Sequence, residues 1–383
     1  MNFPFGFGQK SSLLLIFFFH GIVFAFLLLR KGVLYSNKAS KWLSFLLFLC
    51  AMYIAPYMLG YAGWYSKKIT SEILFFIPFM QVLLIGPVIY FYTKSLLNPS
   101  FKISKKEWYH LIPAIAYLIY SLIIFITDKL ILDEFYFYAD GRDKDLKMWY
   151  QLVGFASILF YLIKSLQKYK LYKKVIFDTV SYADSILFKW IQNFLFAFLI
   201  LIILRILFFI FNEQWAEFGS HFWYFLSFAF VSFYISLNGY ENAIKSSAII
   251  GQKITTNFLP QEEQNTYKNI DIDFWKTKIL QLIEVEKIYE NPKLTLSDVS
   301  KLLETNTKIV SNSINSGFEM NFNDFINHYR IQAVKEKLQQ GEHKTSTLLG
   351  IAFDSGFNSK ATFNRAFKKI TSMSPKEFIK NLV

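Results

Sequence analysis

The sequence predicts an all-α protein, a polytopic seven-helix membrane domain followed by a smaller soluble helical domain. Two compositional facts and one periodic one lead there. The 383 residues are 54% hydrophobic and only 18% charged, where a soluble domain usually carries about a quarter charged residues. The apolar excess is confined to residues 1–240, while residues 252–383 have ordinary soluble composition. In the latter stretch apolar residues recur at helical spacing. The expected organisation is a transmembrane domain at 1–240, a linker and connecting helix at 241–292, and a terminal helical domain at 293–383.

A helix crosses a bilayer with about 20 mainly apolar residues. Segments 12–29, 42–62, 73–92, 111–126, 148–166, 190–211 and 222–237 meet that requirement. Prolines at 56, 78, 87 and 113 are compatible with membrane helices, where neighbouring groups re-satisfy the freed backbone. The first segment is expected to be a retained helix and not a cleaved signal. Its basic residues, Arg30 and Lys31, follow the apolar run, and no small-residue cleavage site closes it.

Lysine and arginine distribution orients these spans. One set of loops carries Arg30, Lys31, Lys38 and Lys41, then Lys94, Lys102, Lys105 and Lys106, then Lys168, Lys170, Lys173 and Lys174. The opposite set carries Lys67 and Lys68, then Lys129, Arg142, Lys144 and Lys147, and none at 212–220. The richer set is expected on the cytoplasmic side. With seven spans, the N-terminus is then outside and the terminal domain inside, in a bacterial inner membrane.

Few polar residues interrupt the spans. Arg205 lies within 190–211, about 9 Å from the outer end at helical rise. An ionisable residue there is a candidate for sensing, with snorkelling toward Glu213 or Glu217 as the alternative. His20 and Gln81 suit helix–helix hydrogen bonds. The loop at 127–146 is acidic and aromatic, consistent with a solvated loop or a ligand-facing surface, and its Asp140, Arg142, Asp143 and Asp145 lack calcium-loop spacing.

Beyond the membrane, residues 274–289 carry Ile279, Leu282, Ile283 and Ile288 at helical spacing, closed by Asn291 and Pro292. Pro260 to Gln264 read as a loop or helix start. Thr295 with Asp298 then forms a capping pattern. Leu296, Val299, Leu302 and Leu303 make one apolar face, Glu304 to Asn306 a polar turn, and Ile309, Val310 and Ile314 the inner side of a second short helix. Short helix, tight turn, short helix is a helix-turn-helix layout. A longer helix at 323–340 follows, and the layout repeats. Leu348, Leu349, Ile351, Ala352 and Phe353 end at Ser355 and Gly356, and Phe363, Ala366 and Phe367 face inward in the next helix. Ser374, Pro375 and Glu377 start the last one.

The run Ile351-Ala352-Phe353-Asp354-Ser355-Gly356-Phe357-Asn358-Ser359, continued by Thr362-Phe363-Asn364-Arg365-Ala366-Phe367-Lys368-Lys369 and Ser374-Pro375, resembles the C-terminal domain of AraC-type transcription regulators. The resemblance covers about 90 residues. It implies seven helices and two reading helices entering successive major grooves of double-stranded DNA. It also implies that Lys308, Ser311 and Asn312 face bases in the first half, and Lys360, Ala361, Asn364 and Arg365 in the second. Thr362 and Lys368 are then expected at phosphate. Arg pairs with guanine edges and Asn with adenine, while Lys and hydroxyls hold phosphates. Glu319 and Ser372 stand where the family usually has glycine, and Ser300 where alanine is common. The combination with a membrane region resembles membrane-embedded AraC-type regulators.

The +13 formal charge suits both nucleic acid and anionic lipid. Cys50 alone permits neither an internal disulfide nor a cysteine zinc cluster. His20, His110, His221, His328 and His343 form no ligand-spaced group, and no Walker, HExxH, GxSxG or kinase motif is present. The expectation is therefore a non-enzymatic transcription regulator without cofactor or metal. Its partners would be DNA, the bilayer and an extracellular or membrane-borne ligand, and a homodimer is compatible with it. The alternative is a membrane receptor or transporter whose helical domain is a regulatory docking module.

Overall fold

The computed structural model describes residues 5–98, 100–186, 189–211, 218–250 and 271–381. The chain forms two compact units, one of residues 1–169 with 189–256 and the other of residues 170–188 with 257–383. Among the described residues the only extended pairing is one antiparallel bridge, Val180 with Thr295; every other regular element is a helix.

The first unit begins with α1 (Gln9–Leu34), α2 (Lys38–Tyr61), α3 (Lys68–Phe76), α4 (Val82–Leu97), α5 (Lys105–Trp108) and α6 (Ile112–Phe125). α7 (Met148–Thr179) follows and runs on into the second unit, which also holds α8 (Ala183–Ile186); α9 (Lys189–Phe211) and α10 (Phe222–Ile250) return to the first. α2 is the hub, packed on α1, α4 and α10. Asn37 opens it by accepting from the Ser40 N–H at 3.1 Å. Among the described residues, six helices are long and apolar enough to cross a membrane: α1, α2, residues 105–131 around α6, α7, α9 and residues 218–243, which take in most of α10. Their outer faces are apolar. Ile16, Phe19, Val23 and Phe26 of α1, and Ile200, Ile203, Leu207 and Ile210 of α9, all stand exposed at helical spacing. Water-soluble monomers do not carry such stripes.

The third expected span is not one helix. It is α3 and α4, with residues 77–81 non-helical between them. Pro78 removes a donor and holds Ile77 in the extended region, at φ −86° and ψ 118°. Non-helical backbone at such a place needs partners, and the loop before α7 and the first turn of α7 supply them. Asp145 accepts from the Met80 N–H at 3.1 Å, Tyr150 donates to the Met80 carbonyl at 2.8 Å, and Lys144 donates to the Phe75 carbonyl at 2.9 Å. Asp143, Lys144 and Asp145 are consequently buried, unlike the solvated loop that was one of the two readings of this stretch. His20 does bond between helices, 3.2 Å from Ser236 of α10. Gln81 instead donates locally to the Pro78 carbonyl at 2.9 Å. Glu213, Glu217 and the start expected at Pro260 to Gln264 lie outside the described residues.

The second unit continues with α11 (Ile272–Glu284), α12 (Leu296–Leu302), α13 (Thr307–Gly317), α14 (Phe322–Gln339), α15 (Leu348–Asp354), α16 (Lys360–Thr371) and α17 (Pro375–Lys380). Each helix has a side-chain N-cap: Asp271, Thr295, Asn306, Asn321, Thr347, Ser359 and Ser374 in turn. Such caps stabilise a helix by about 1 kcal/mol each. Two apolar cores form. Ile279, Ile283, Leu296, Val299, Val310, Ile314 and Phe325 build the first, and Ile331, Val334, Ile351, Ala352, Phe363 and Phe367 the second. α14 contributes to both and joins them. Leu302, expected on the apolar face of α12, is exposed, and so is Phe353 of α15.

Candidate nucleic-acid interface

α12–α13 and α15–α16 are the two helix-turn-helix pairs. The turn before α16 requires its glycine: Gly356 has φ +91°, and a Cβ there would lie 2.2 Å from the Tyr289 carbonyl oxygen. That fixes α16 against the second core through Phe363, Ala366 and Phe367, all buried. The same register turns Lys360, Ala361, Asn364, Arg365 and Lys368 outward, and all five are exposed. In α13, Val310, Ser313 and Ile314 are buried, which leaves Lys308 and Asn312 exposed and Ser311 half-buried. Asn315 shares that face and donates to Ser311 Oγ at 3.4 Å; the sequence reading had not singled it out.

Thr362 departs from its expected place. It is buried at 2% exposure, with its hydroxyl 2.8 Å from that of the N-cap Ser359. A phosphate could not reach it without breaking the cap, so its geometry suits helix initiation. Lys369 is exposed and donates to Asp324 of α14 at 2.7 Å.

Three residues that sequence reasoning missed surround the junction of the two halves. Arg330 of α14 is 1% exposed. Its Nε donates to the Tyr289 carbonyl at 2.8 Å and its Nη2 to the Asn291 carbonyl at 2.7 Å. It also donates to Ser181, through Nη1 to the carbonyl at 3.2 Å and through Nη2 to Oγ at 3.0 Å. Burial draws its guanidinium down to about 9. Asp184 of α8 forms an ion pair with Arg365 of α16. A signal for Arg330 was present in the sequence, since it stands in register between Ile326 and Val334 on an otherwise apolar helix face. Ser181 and Asp184 gave none, because their partners lie far along the chain.

Arg205 belongs to the first unit, on α9. Its guanidinium lies 4.5 Å from the Tyr224 ring centroid, 5.4 Å from that of Phe155 and 5.8 Å from that of Phe208, within cation–π range. Its Nη1 is 3.4 Å from His221 Nδ1. No carboxylate among the described residues forms an ion pair with it. It lines a cleft of about 1060 Å³ with Tyr57, Tyr65, Asp143, Gln151 and His221.

Comparison with known proteins bears on the second unit alone. Residues 299–381 match a family described as a helix-turn-helix domain. An uncharacterized HTH-type transcriptional regulator of Staphylococcus aureus strain COL is 28% identical over 101 residues, 26% of this chain and 13% of that protein. A counterpart in strain MSSA476 shows the same identity and coverage. The chain thus spans about an eighth of the length of these relatives. No solved structure matches significantly. Paired helix-turn-helix units on a shared central helix, outward polar faces and the family match together make the C-terminal region a helix-turn-helix domain similar to that of HTH-type transcriptional regulators, on a chain whose described residues include six helices long and apolar enough to cross a membrane.

Proposed function

We propose that this protein is a multi-pass inner-membrane regulator that binds promoter DNA sequence-specifically while anchored, under control of a signal received by its membrane helices. The observation that carries the DNA half is the outward face of α16, where Lys360, Ala361, Asn364 and Arg365 follow one another at helical spacing. On that reading, Asn364 and Arg365 address base edges, Lys368 a phosphate, and Lys308, Ser311 and Asn312 of α13 the adjacent major groove. Loop lysines favour a cytoplasmic C-terminus.

Signal reception is assigned to the cleft around Arg205. A cation held among aromatic rings and beside His221 suits an anionic group on an otherwise apolar ligand, arriving from outside or from the bilayer. Arg205→Gln should uncouple output from the signal without loss of DNA binding.

The test is chromosomal mapping of the full-length protein, followed by binding to the most enriched site in lipid nanodiscs. Asn364→Ala should weaken that site by about 1–3 kcal/mol and relax preference at one base position. No discrete enriched sites, or an Asn364→Ala variant equal to the unmodified chain at every site, would favour a docking module that acts through a partner protein.

A further inference from the structure

We infer that the second reading face has an intramolecular occupant, the segment at residues 180–184 that connects α7 to α9, which competes with DNA. The inference rests on the DNA-binding reading above and adds a competitor for the same helix. In sequence the segment belongs among the membrane helices, being chain-continuous with α7 and α9, yet it packs as part of the second unit.

Its attachment is specific at two levels. At the base, Val180 bridges Thr295, the N-cap of α12, and the Ser181 N–H donates to the Leu294 carbonyl at 3.1 Å. Ser181 Oγ donates to the same carbonyl at 2.8 Å, and Asn323 of α14 donates to the Val180 carbonyl at 3.2 Å. Ser181 is fully buried and takes two bonds from the equally buried Arg330. Burying an arginine is costly unless its donors are filled; here the segment fills two of them. At the tip, Ala183 is 0% exposed, α8 lies against α16, and Asp184 pairs with Arg365. The side chain of Asp184 is 8% exposed and that of Arg365 46%.

Arg365 is the residue best suited to a guanine edge, and Asp184 engages its Nη1, so the donor pair on that edge of the guanidinium is not free for a base. Asp184 offers carboxylate oxygens where DNA would present O6 and N7 acceptors or phosphate, and its charge opposes any phosphate brought close. Docked, the segment therefore withholds the second reading helix while leaving α13 untouched. Lifted, it frees Arg365 but strips two partners from Arg330, so the docked arrangement has a stabilising interaction of its own and the switch has two defined ends. Displacement of α7 or α9 would be transmitted to the segment through the backbone.

The test uses full-length protein in nanodiscs and a duplex carrying the most enriched chromosomal site. Asp184→Asn removes the competing charge and should tighten binding about tenfold, as expected when the competent fraction rises from a minority. A second variant, Val180→Cys with Thr295→Cys, places a disulfide across the bridge and leaves the buried Cys50 in place. Oxidation should weaken binding about tenfold and reduction restore it, within one preparation, so any loss of the Thr295 cap cancels. Equal affinity for the oxidised and reduced forms, with Asp184→Asn no tighter than the unmodified chain, would overturn the competition. Absence of site-specific binding in every form, the reduced and Asp184→Asn proteins included, would instead sink the DNA-binding reading on which it rests.

Discussion

Glu319 and Ser372 hold φ of +53° and +60°, the left-handed region that side chains with a Cβ resist. Ser372 closes α16, its N–H donating to the Lys368 carbonyl, which is the position where glycine is the usual helix terminator. Ser372→Gly should therefore raise stability by about 1 kcal/mol, read as a higher midpoint in thermal unfolding with DNA affinity unchanged. A second residue-scale effect concerns acid. Burial, then the neighbouring Asp145, raises the Asp143 carboxyl to about 7, and Asp145 is raised as well. Tyr65 donates to Asp143 at 2.9 Å, and Lys144 Nζ lies 3.8 Å from Asp145. A carboxyl with a raised folded pKa stabilises most below its unfolded value and loses that contribution as pH rises through the folded one. The protein in detergent should thus melt at a lower temperature at pH 8 than at pH 5, and Asp143→Asn should flatten the difference. The exposed face of α16 was legible in the sequence, because helical spacing and a run of matching residues fixed its register. The burial of Thr362 was not, since Ser359 could equally have capped the helix through the backbone alone. The burial of Asp143 and Asp145 was not legible either, because nothing local announces a Met80 N–H to be satisfied three helices earlier.

At the scale of elements, α4 and α7 approach through glycine. A Cβ on Gly154 would lie 2.4 Å from Val82, and one on Gly86 only 3.1 Å from the Ser157 carbonyl oxygen. Small residues at such crossings let helices pack closely where lipid offers no hydrophobic drive. Gly154→Leu should separate α4 from α7, lowering the thermal midpoint in detergent by several degrees, at a cost of about 1–3 kcal/mol. Six of the seven expected spans appear as long apolar helices. The third differs because hydropathy reports burial and not backbone hydrogen bonding. Pro78 signalled a break, but the side chains that make the break tolerable come from the loop before α7 and from its first turn. The reverse holds for α12 to α17, whose caps and turns are written within a few residues of one another, so each boundary could be read locally.

At the scale of the whole molecule, the chain sorts into a largely apolar unit and a polar helical one. On the proposed reading, loop charge favours a cytoplasmic C-terminus. A reporter fused after residue 383 should be active inside the cell and silent outside, and the reverse result would separate the reading helices from any chromosome. What sequence could not reveal at this scale is that the second unit is discontinuous. Composition assigned residues 170–188 to the membrane region, and only tertiary contacts to Leu294, Asn323 and Arg330 reassign them.

That discontinuity fixes an order of events during synthesis. Val180 to Asp184 leave the ribosome well before Thr295, Arg330 and Arg365 are translated. The second reading helix, α16, is therefore made after the segment it packs against. A gene truncated to its last third would encode the recognition surface but not this neighbour, and its product would start life in a condition the intact polypeptide reaches only by letting go.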